Sequence, residues 1–172
     1  MKNEQRRKAI LKKLKASSSA ISANVFADAF GVTRQIIVAD IALLRASGHP
    51  IRAEHKGYVL EKIDKNDIVR RIVVKHGPEQ LKDELYTIVD NGARVLDVIV
   101  EHSVYGRITG DLGLSSRYDV DKFLQKLSDS EASPLSDLTD GVHVHTLSLK
   151  DAESFDRIVE RLNELQVLVD YE

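Results

Sequence analysis

Gly31-Val32-Thr33-Arg34-Gln35-Ile36-Ile37-Val38-Ala39-Asp40-Ile41-Ala42-Leu43-Leu44-Arg45 decides how the first third of the chain folds. Gly31 stops one helix, as a glycine just past the last helical residue does. Thr33 is placed to cap the next. That helix runs to about Ser47, where Gly48 and Pro50 end it. On a wheel of about 100° per residue, Ile36, Ile37, Ile41 and Leu44 fall on one side. Gln35, Val38, Ala39 and Ala42 fall on the other, with Arg34 and Arg45 on its shoulder. A solvated face would normally carry Glu and Lys. This one is small and uncharged at its centre and basic at its edge, which suits the floor of a major groove. The alternative is a three-helix module that packs against protein.

Upstream, Ile10, Leu11 and Leu14 form a stripe at helical spacing on a segment from about Glu4 to Ala16. Ser17, Ser18 and Ser19 break it, and a second helix fits Ser22 to Phe30. Downstream, Ile51-Arg52-Ala53-Glu54 and Tyr58-Val59-Leu60 flank His55-Lys56-Gly57, a hairpin pattern. Helix, helix, tight turn, helix, hairpin is the order of a winged helix-turn-helix. It is expected over residues 1–61. A polar connection containing Lys62, Asp64, Lys65 and Asn66 leads to a second domain over 67–172.

Charge divides at the same place. Residues 1–60 carry 11 Lys and Arg against 4 Asp and Glu; residues 61–172 carry 14 against 23. The net −2 of the 172 residues therefore joins a basic third to an acidic remainder, and only the former should meet a polyanion. The absence of cysteine excludes disulfides and thiolate metal sites and fits a cytoplasmic protein. No apolar run reaches the length of a membrane span, and Met1 to Lys15 lacks the apolar stretch of a secretory signal.

The second domain alternates strand and helix patterns. Strands are expected at Arg94–Glu101, Val142–Leu149 and Gln166–Asp170, with Gly106–Leu112 a hairpin partner, and Ile68–Lys75 reads as a strand or as a helix that runs into one. Gly77-Pro78 opens a helix through Ile88. Ser116–Leu127 and a segment within Leu149–Leu165 are amphipathic helices. The fold class is α+β: the winged module, then a small α/β sandwich with helices on a mainly antiparallel or mixed sheet.

Three histidines bear on chemistry. In Val142-His143-Val144-His145-Thr146, strand alternation puts both imidazoles on one face. His76 stands at a strand-to-helix junction, and Glu84 lies on the helix that follows. Three imidazoles and a carboxylate suit one zinc, nickel or ferrous ion per chain. The spacing leaves a metal-free strand with half-exposed histidines equally open.

The helix segment Gly31–Arg45 resembles the recognition helix of bacterial winged-helix repressors and is similar to the N-terminal segment of bifunctional biotin ligase repressors. The longer pattern is more specific. His76-Gly-Pro-Glu, then Asp97-Val-Ile-Val-Glu-His102-Ser-Val-Tyr105-Gly106, then Gly141-Val-His143-Val-His145 resembles the three-histidine domain of niacin-responsive transcriptional repressors, across nearly the whole chain. Ser103 departs from the proline often found there. The resemblance implies a repressor of niacin uptake and salvage genes, with nicotinic acid as co-repressor and metal ligands at His76, Glu84, His143 and His145. It does not say what holds the effector carboxylate. Tyr105, Arg107, Arg117 and His102 are the candidates, Tyr105 as a partner for a pyridine ring.

Thr33, Arg34, Gln35, Val38, Arg45 and Lys56 are the candidate contacts to double-stranded operator DNA. Gln35 and Val38 should face bases, and Arg34, Arg45 and Lys56 phosphate or the minor groove. One recognition helix buries little surface, so a homodimer on an inverted repeat is expected. No enzyme is expected. A biotin ligase would need more than the residues beyond Asn66, and Tyr105–Gly110 is too sparse in Gly and Lys for an adenylate loop. A metallohydrolase would need Asp97 or Glu101 as its base, without a motif around either. A repressor sensing the metal itself is the other alternative.

Overall fold

The computed structural model describes residues 2–54, 56–61, 64 and 66–169. It divides into two compact units, Met1–Lys62 and Ile63–Glu172. His55 of the hairpin turn, Lys62 and Lys65 of the connection, and Asp170 of the last expected strand lie outside the described residues.

In the first unit, α1 (Asn3–Ala16), α2 (Ala23–Phe30) and α3 (Arg34–Ala46) precede an antiparallel hairpin of β1 (Ile51–Glu54) and β2 (Gly57–Leu60). The winged helix-turn-helix order is therefore observed. Ser22 Oγ accepts from Val25 N–H and Thr33 Oγ1 from Ile36 N–H, capping α2 and α3. Gly31 sits at φ 62°, the left-handed turn between the two helices. The core is Ile10, Leu14, Phe26, Ile37, Ile41, Leu44 and Ile51. The hairpin is anchored by Ile21, which exchanges two backbone hydrogen bonds with Tyr58 (2.8 and 3.0 Å). A Cβ on Gly57 would collide with the Ile21 carbonyl, so glycine is required there.

One helical face differs from the expectation. Ile36 is exposed, and Asp40 takes its place on the buried stripe beside Ile37, Ile41 and Leu44. A wheel scored on hydrophobicity puts an aspartate outside. Here its carboxylate is met by Arg6 and Arg7 of α1, so burial is tolerated.

The second unit is a four-stranded antiparallel sheet in the order β3-β6-β4-β5. Its elements are β3 (Ile68–Lys75), α4 (Leu81–Asp90), β4 (Arg94–His102), β5 (Gly106–Leu114), α5 (Arg117–Asp129), β6 (Val142–Leu149) and α6 (Ala152–Glu164). Side chains of α4, α5 and α6 share one core with the sheet, built on Ile72, Val74, Leu85, Ile88, Val95, Val120, Leu147, Leu149, Ile158 and Leu162. This is the expected α+β class, with the sheet wholly antiparallel. A bulge between Val95 and Asp97 shifts the register of β4 against both neighbours.

Two expectations are corrected. The Gly77-Pro78 helix begins as a 3-10 turn over Pro78–Gln80 and becomes α-helical only at Leu81. Residues 166–169 form no strand, only a bridge between Leu168 and Val74, with two further backbone hydrogen bonds to the edge of β3. Gln166, at φ 58°, turns the chain out of α6 too abruptly for a longer ladder.

Candidate metal centre and DNA-facing surface

The alternation of β6 puts His143, His145, Leu147 and Leu149 on the helix-covered face. His143 pairs in register with Val74, and His145 lies between Ile72 and Val98. His76 follows the end of β3 directly. Gly141, just before β6, passes so close to it that a Cβ there would stand 2.6 Å from the His76 carbonyl oxygen. At φ 85° this position also needs glycine for its backbone. Glu84 lies in the first turn of α4, where the helix dipole favours a carboxylate.

All four side chains are buried, and the two strand histidines are not the half-exposed residues of the metal-free alternative: both are 2% exposed. His76 Nε2 lies 2.6 Å from Glu84 Oε2, and His143 Nε2 3.5 Å from the same oxygen. His145 Nε2 stands 3.2 Å from Glu84 Oε1. That last pair is misaligned, and both atoms are buried without a hydrogen-bond partner. His76, Glu84 and His143 offer ligand atoms that all lie within 4.8 Å of one another.

The other ring nitrogens decide the tautomers. Nδ1 of His76 lies 2.8 Å from the Gly77 carbonyl, Nδ1 of His143 2.9 Å from that of Gly141, and Nδ1 of His145 2.7 Å from that of Asp97. A carbonyl oxygen only accepts, so each Nδ1 carries the proton and donates. Each Nε2 is then left with its lone pair, and all three converge on one carboxylate. A buried arrangement of four acceptors requires extra protons or a cation. Backbone carbonyls that orient ring nitrogens in this way are what metal-ligating histidines have around them. The donor set, three nitrogens and a carboxylate, fits a borderline divalent ion.

The electrostatics run the same way. Burial disfavours charge on His76, yet the hydrogen bond and charge of Glu84 raise it above its ordinary value. His145 is raised likewise, against its burial, by Glu84. The imidazoles, led by His145, overcome the burial of Glu84 and hold its carboxyl well below the usual carboxylate range. The site stabilises positive charge next to a carboxylate that stays ionised.

The effector candidates do not join this cluster. Tyr105 is 78% exposed in the turn between β4 and β5, and its ring stacks on His102 at 5.0 Å. His102 Nδ1 accepts from the Val104 and Tyr105 N–H groups. Arg107 is exposed opposite Glu101 in the same hairpin. Arg117 is committed to Asp90, at 2.5 Å from Oδ2, with its guanidinium 4.3 Å above the Tyr86 ring. Asp97, considered above as a hydrolytic base, instead uses its carbonyl for His145 and its carboxylate for the Thr146 N–H. Gly77, Gly141 and Asp97 orient the imidazoles through their backbone carbonyls, a role that side-chain spacing does not reveal. The only trace of them in the sequence is the glycine two places before His143.

On the first unit, Arg34, Gln35, Val38 and Lys56 are exposed. Thr33 is occupied as the α3 cap. Arg45 donates from Nε to the Ile51 carbonyl at 2.7 Å and lies 5.9 Å from the Tyr58 ring, tying α3 to the hairpin.

Comparison with known proteins now bears on both units. Residues 69–171 match the 3H domain family and residues 6–59 an HTH domain family. Over 167 residues the chain is 41% identical to the "Probable transcription repressor NiaR" of Thermotoga maritima, covering 97% of this chain and 95% of that one. It is 40% identical over 167 residues to the "Transcription repressor NadR" of Bacillus subtilis, covering 95% and 93%. A helix-turn-helix joined to a 3H domain in the same order, at that identity and coverage, makes this chain a member of the family of 3H-domain transcription repressors.

Proposed function

We propose that this chain is a cytoplasmic repressor that binds operator DNA as a homodimer and responds to nicotinic acid through a metal-containing 3H domain. Residues 1–61 are the DNA-binding domain and 67–172 the metal- and effector-binding domain. The observation that carries the metal assignment is the convergence of three Nε2 lone pairs on Glu84, each ring oriented by a backbone carbonyl. His76, Glu84, His143 and His145 would hold one zinc, nickel or ferrous ion. Bound there, the cation offers a Lewis-acid position to a pyridine nitrogen or a carboxylate. The chain's own residues bury the site and aim the imidazoles. The resemblance of the three-histidine pattern to niacin-responsive repressors supports nicotinic acid as the ligand, and likeness over nearly the whole chain to proteins named as transcription repressors supports the regulatory role.

Arg34, Gln35, Val38 and Lys56 are the DNA contacts that exposure supports. Arg45 is held against the hairpin and serves the module's shape first. The test is an operator-binding titration of metal-loaded protein across pyridine carboxylates, with the protein's mass measured alongside. Tightening by nicotinic acid, lost on chelation, is the expected result. A response to no pyridine carboxylate, or a monomer on DNA, would overturn the respective claim.

A second function has one observation in its favour. None of the effector candidates lies at the buried cluster, so the cation itself could be the signal. Metal-dependent DNA binding that no pyridine carboxylate alters would establish it.

A further inference from the structure

Asp40 is the only acidic residue of α3, and it points into the core. Its Oδ2 lies 2.5 Å from Arg6 Nε and its Oδ1 3.4 Å from Arg7 Nη1, the Arg6 and Asp40 side chains being 6% and 4% exposed. Arg6 also donates from Nη2 to Asn3 Oδ1 at 3.2 Å, which locks the guanidinium on the first turn of α1. A buried ion pair is poor evidence of stability, because desolvating both charges offsets much of their attraction. An apolar residue of similar volume at each position would serve the core as well. The arrangement therefore calls for a role other than stability.

Apolar contacts through Ile37, Ile41 and Leu44 hold α3 down but carry no direction of their own, and Arg45 ties only the last turn of α3 to the hairpin. A charged hydrogen bond in a low-dielectric core is directional, and a small roll breaks it. Asp40 projects roughly 140° around the axis from Gln35, at about 100° per residue. The roll that would break the pair is the same roll that would carry Gln35 and Val38 off their base edges.

We propose that the Arg6–Asp40 pair is a positioning device for DNA reading: it sets the roll of α3 so that Gln35 and Val38 meet bases in a single register. The pair also turns the one carboxylate of α3 away from phosphate. The proposal rests on the DNA-binding function above. Asp40 and Arg6 act through Gln35 and Val38 and touch no DNA.

The experiment uses the full chain and a random-sequence duplex library. Wild type first selects a consensus, and the affinity ratio of that consensus to a scrambled duplex is measured. The Arg6→Met/Asp40→Leu variant is expected to keep the melting temperature and the affinity and salt slope on the scrambled duplex. Its consensus ratio should fall about tenfold, the size of one mismatched base pair. If that variant does not fold, Arg6→Lys is read in its place: it keeps the charge but loses the fork that joins Asp40 to Asn3. A folded variant whose ratio stays within twofold of wild type would overturn the proposal while leaving the DNA function intact. A wild type that selects no consensus would overturn both.

Discussion

The two units carry function in opposite ways. In the first, the residues proposed to act are exposed and basic or polar, and the core beneath them sets their direction. In the second, the residues proposed to act are the buried ones, and the exposed polar groups, such as Arg117 with Asp90, satisfy each other. A surface that reads a polyanion must be open to it. A site built of imidazole lone pairs must exclude water to keep its geometry. Substitutions should therefore behave differently in the two halves, abolishing one property in the second and grading it in the first.

The largest effect is expected from His143→Ala with His145→Ala. It removes two of the four proposed ligands and should cost more than the 10- to 100-fold in metal affinity that losing an outer-shell partner costs. Elemental analysis of the purified variant should show no stoichiometric metal, with salt-dependent binding to DNA retained. Full metal content would reduce β6 to a strand and erase the contrast between the units.

Glu84→Gln comes next. Removing the carboxylate while leaving the imidazoles buried takes away the charge partner, at about 3 kcal/mol or more. Thermal unfolding of metal-free protein should report it. An unchanged midpoint would mean that the cluster stores no electrostatic stabilisation.

Gly141→Ala tests the backbone's part. The new Cβ meets the His76 carbonyl and forces a left-handed backbone on alanine, at about 1–3 kcal/mol. Metal affinity should fall although no proposed ligand has changed. A drop in stability with metal affinity untouched would detach the approach of these two segments from the site.

In the first unit the effects should be graded. Lys56→Ala is expected to weaken all DNA sequences alike and lower the salt slope by about one, whereas Gln35→Ala should relax base preference by about 1–3 kcal/mol at one position. Equal losses across sequence variants for both would contradict the assignment. Arg117→Ala is the smallest, a barely measurable change in melting temperature, because its ion pair is exposed to solvent. A lost nicotinic acid response in that variant would return Arg117 to the effector site.

Legibility differed between the units for a physical reason. Gly31, Thr33 and Gly57 act locally, through caps and turns, and a local signal survives in the sequence. So does the two-residue alternation that put His143 and His145 on one face. The helical wheel leaves Asp40 unassigned because its burial depends on Arg6 and Arg7, which are more than 30 positions away and carry no periodic signature. The Asp97 carbonyl that orients His145 comes from a strand 48 positions distant. Arg117 looked free for an anion because nothing local announces the Asp90 and Tyr86 that occupy it.

β6, the last strand among the described residues, lies between β3 and β4. β4 and β5 are neighbours in the chain and can zip as a hairpin as soon as they exist. β3, made first, has no partner in the sheet until β6 arrives about 70 residues later. His76 and Glu84 thus wait, during synthesis, for the two imidazoles that arrive on the closing strand. Closing the sheet and completing the cluster depend on the same strand, so the four candidate ligands meet only where β6 has inserted between β3 and β4.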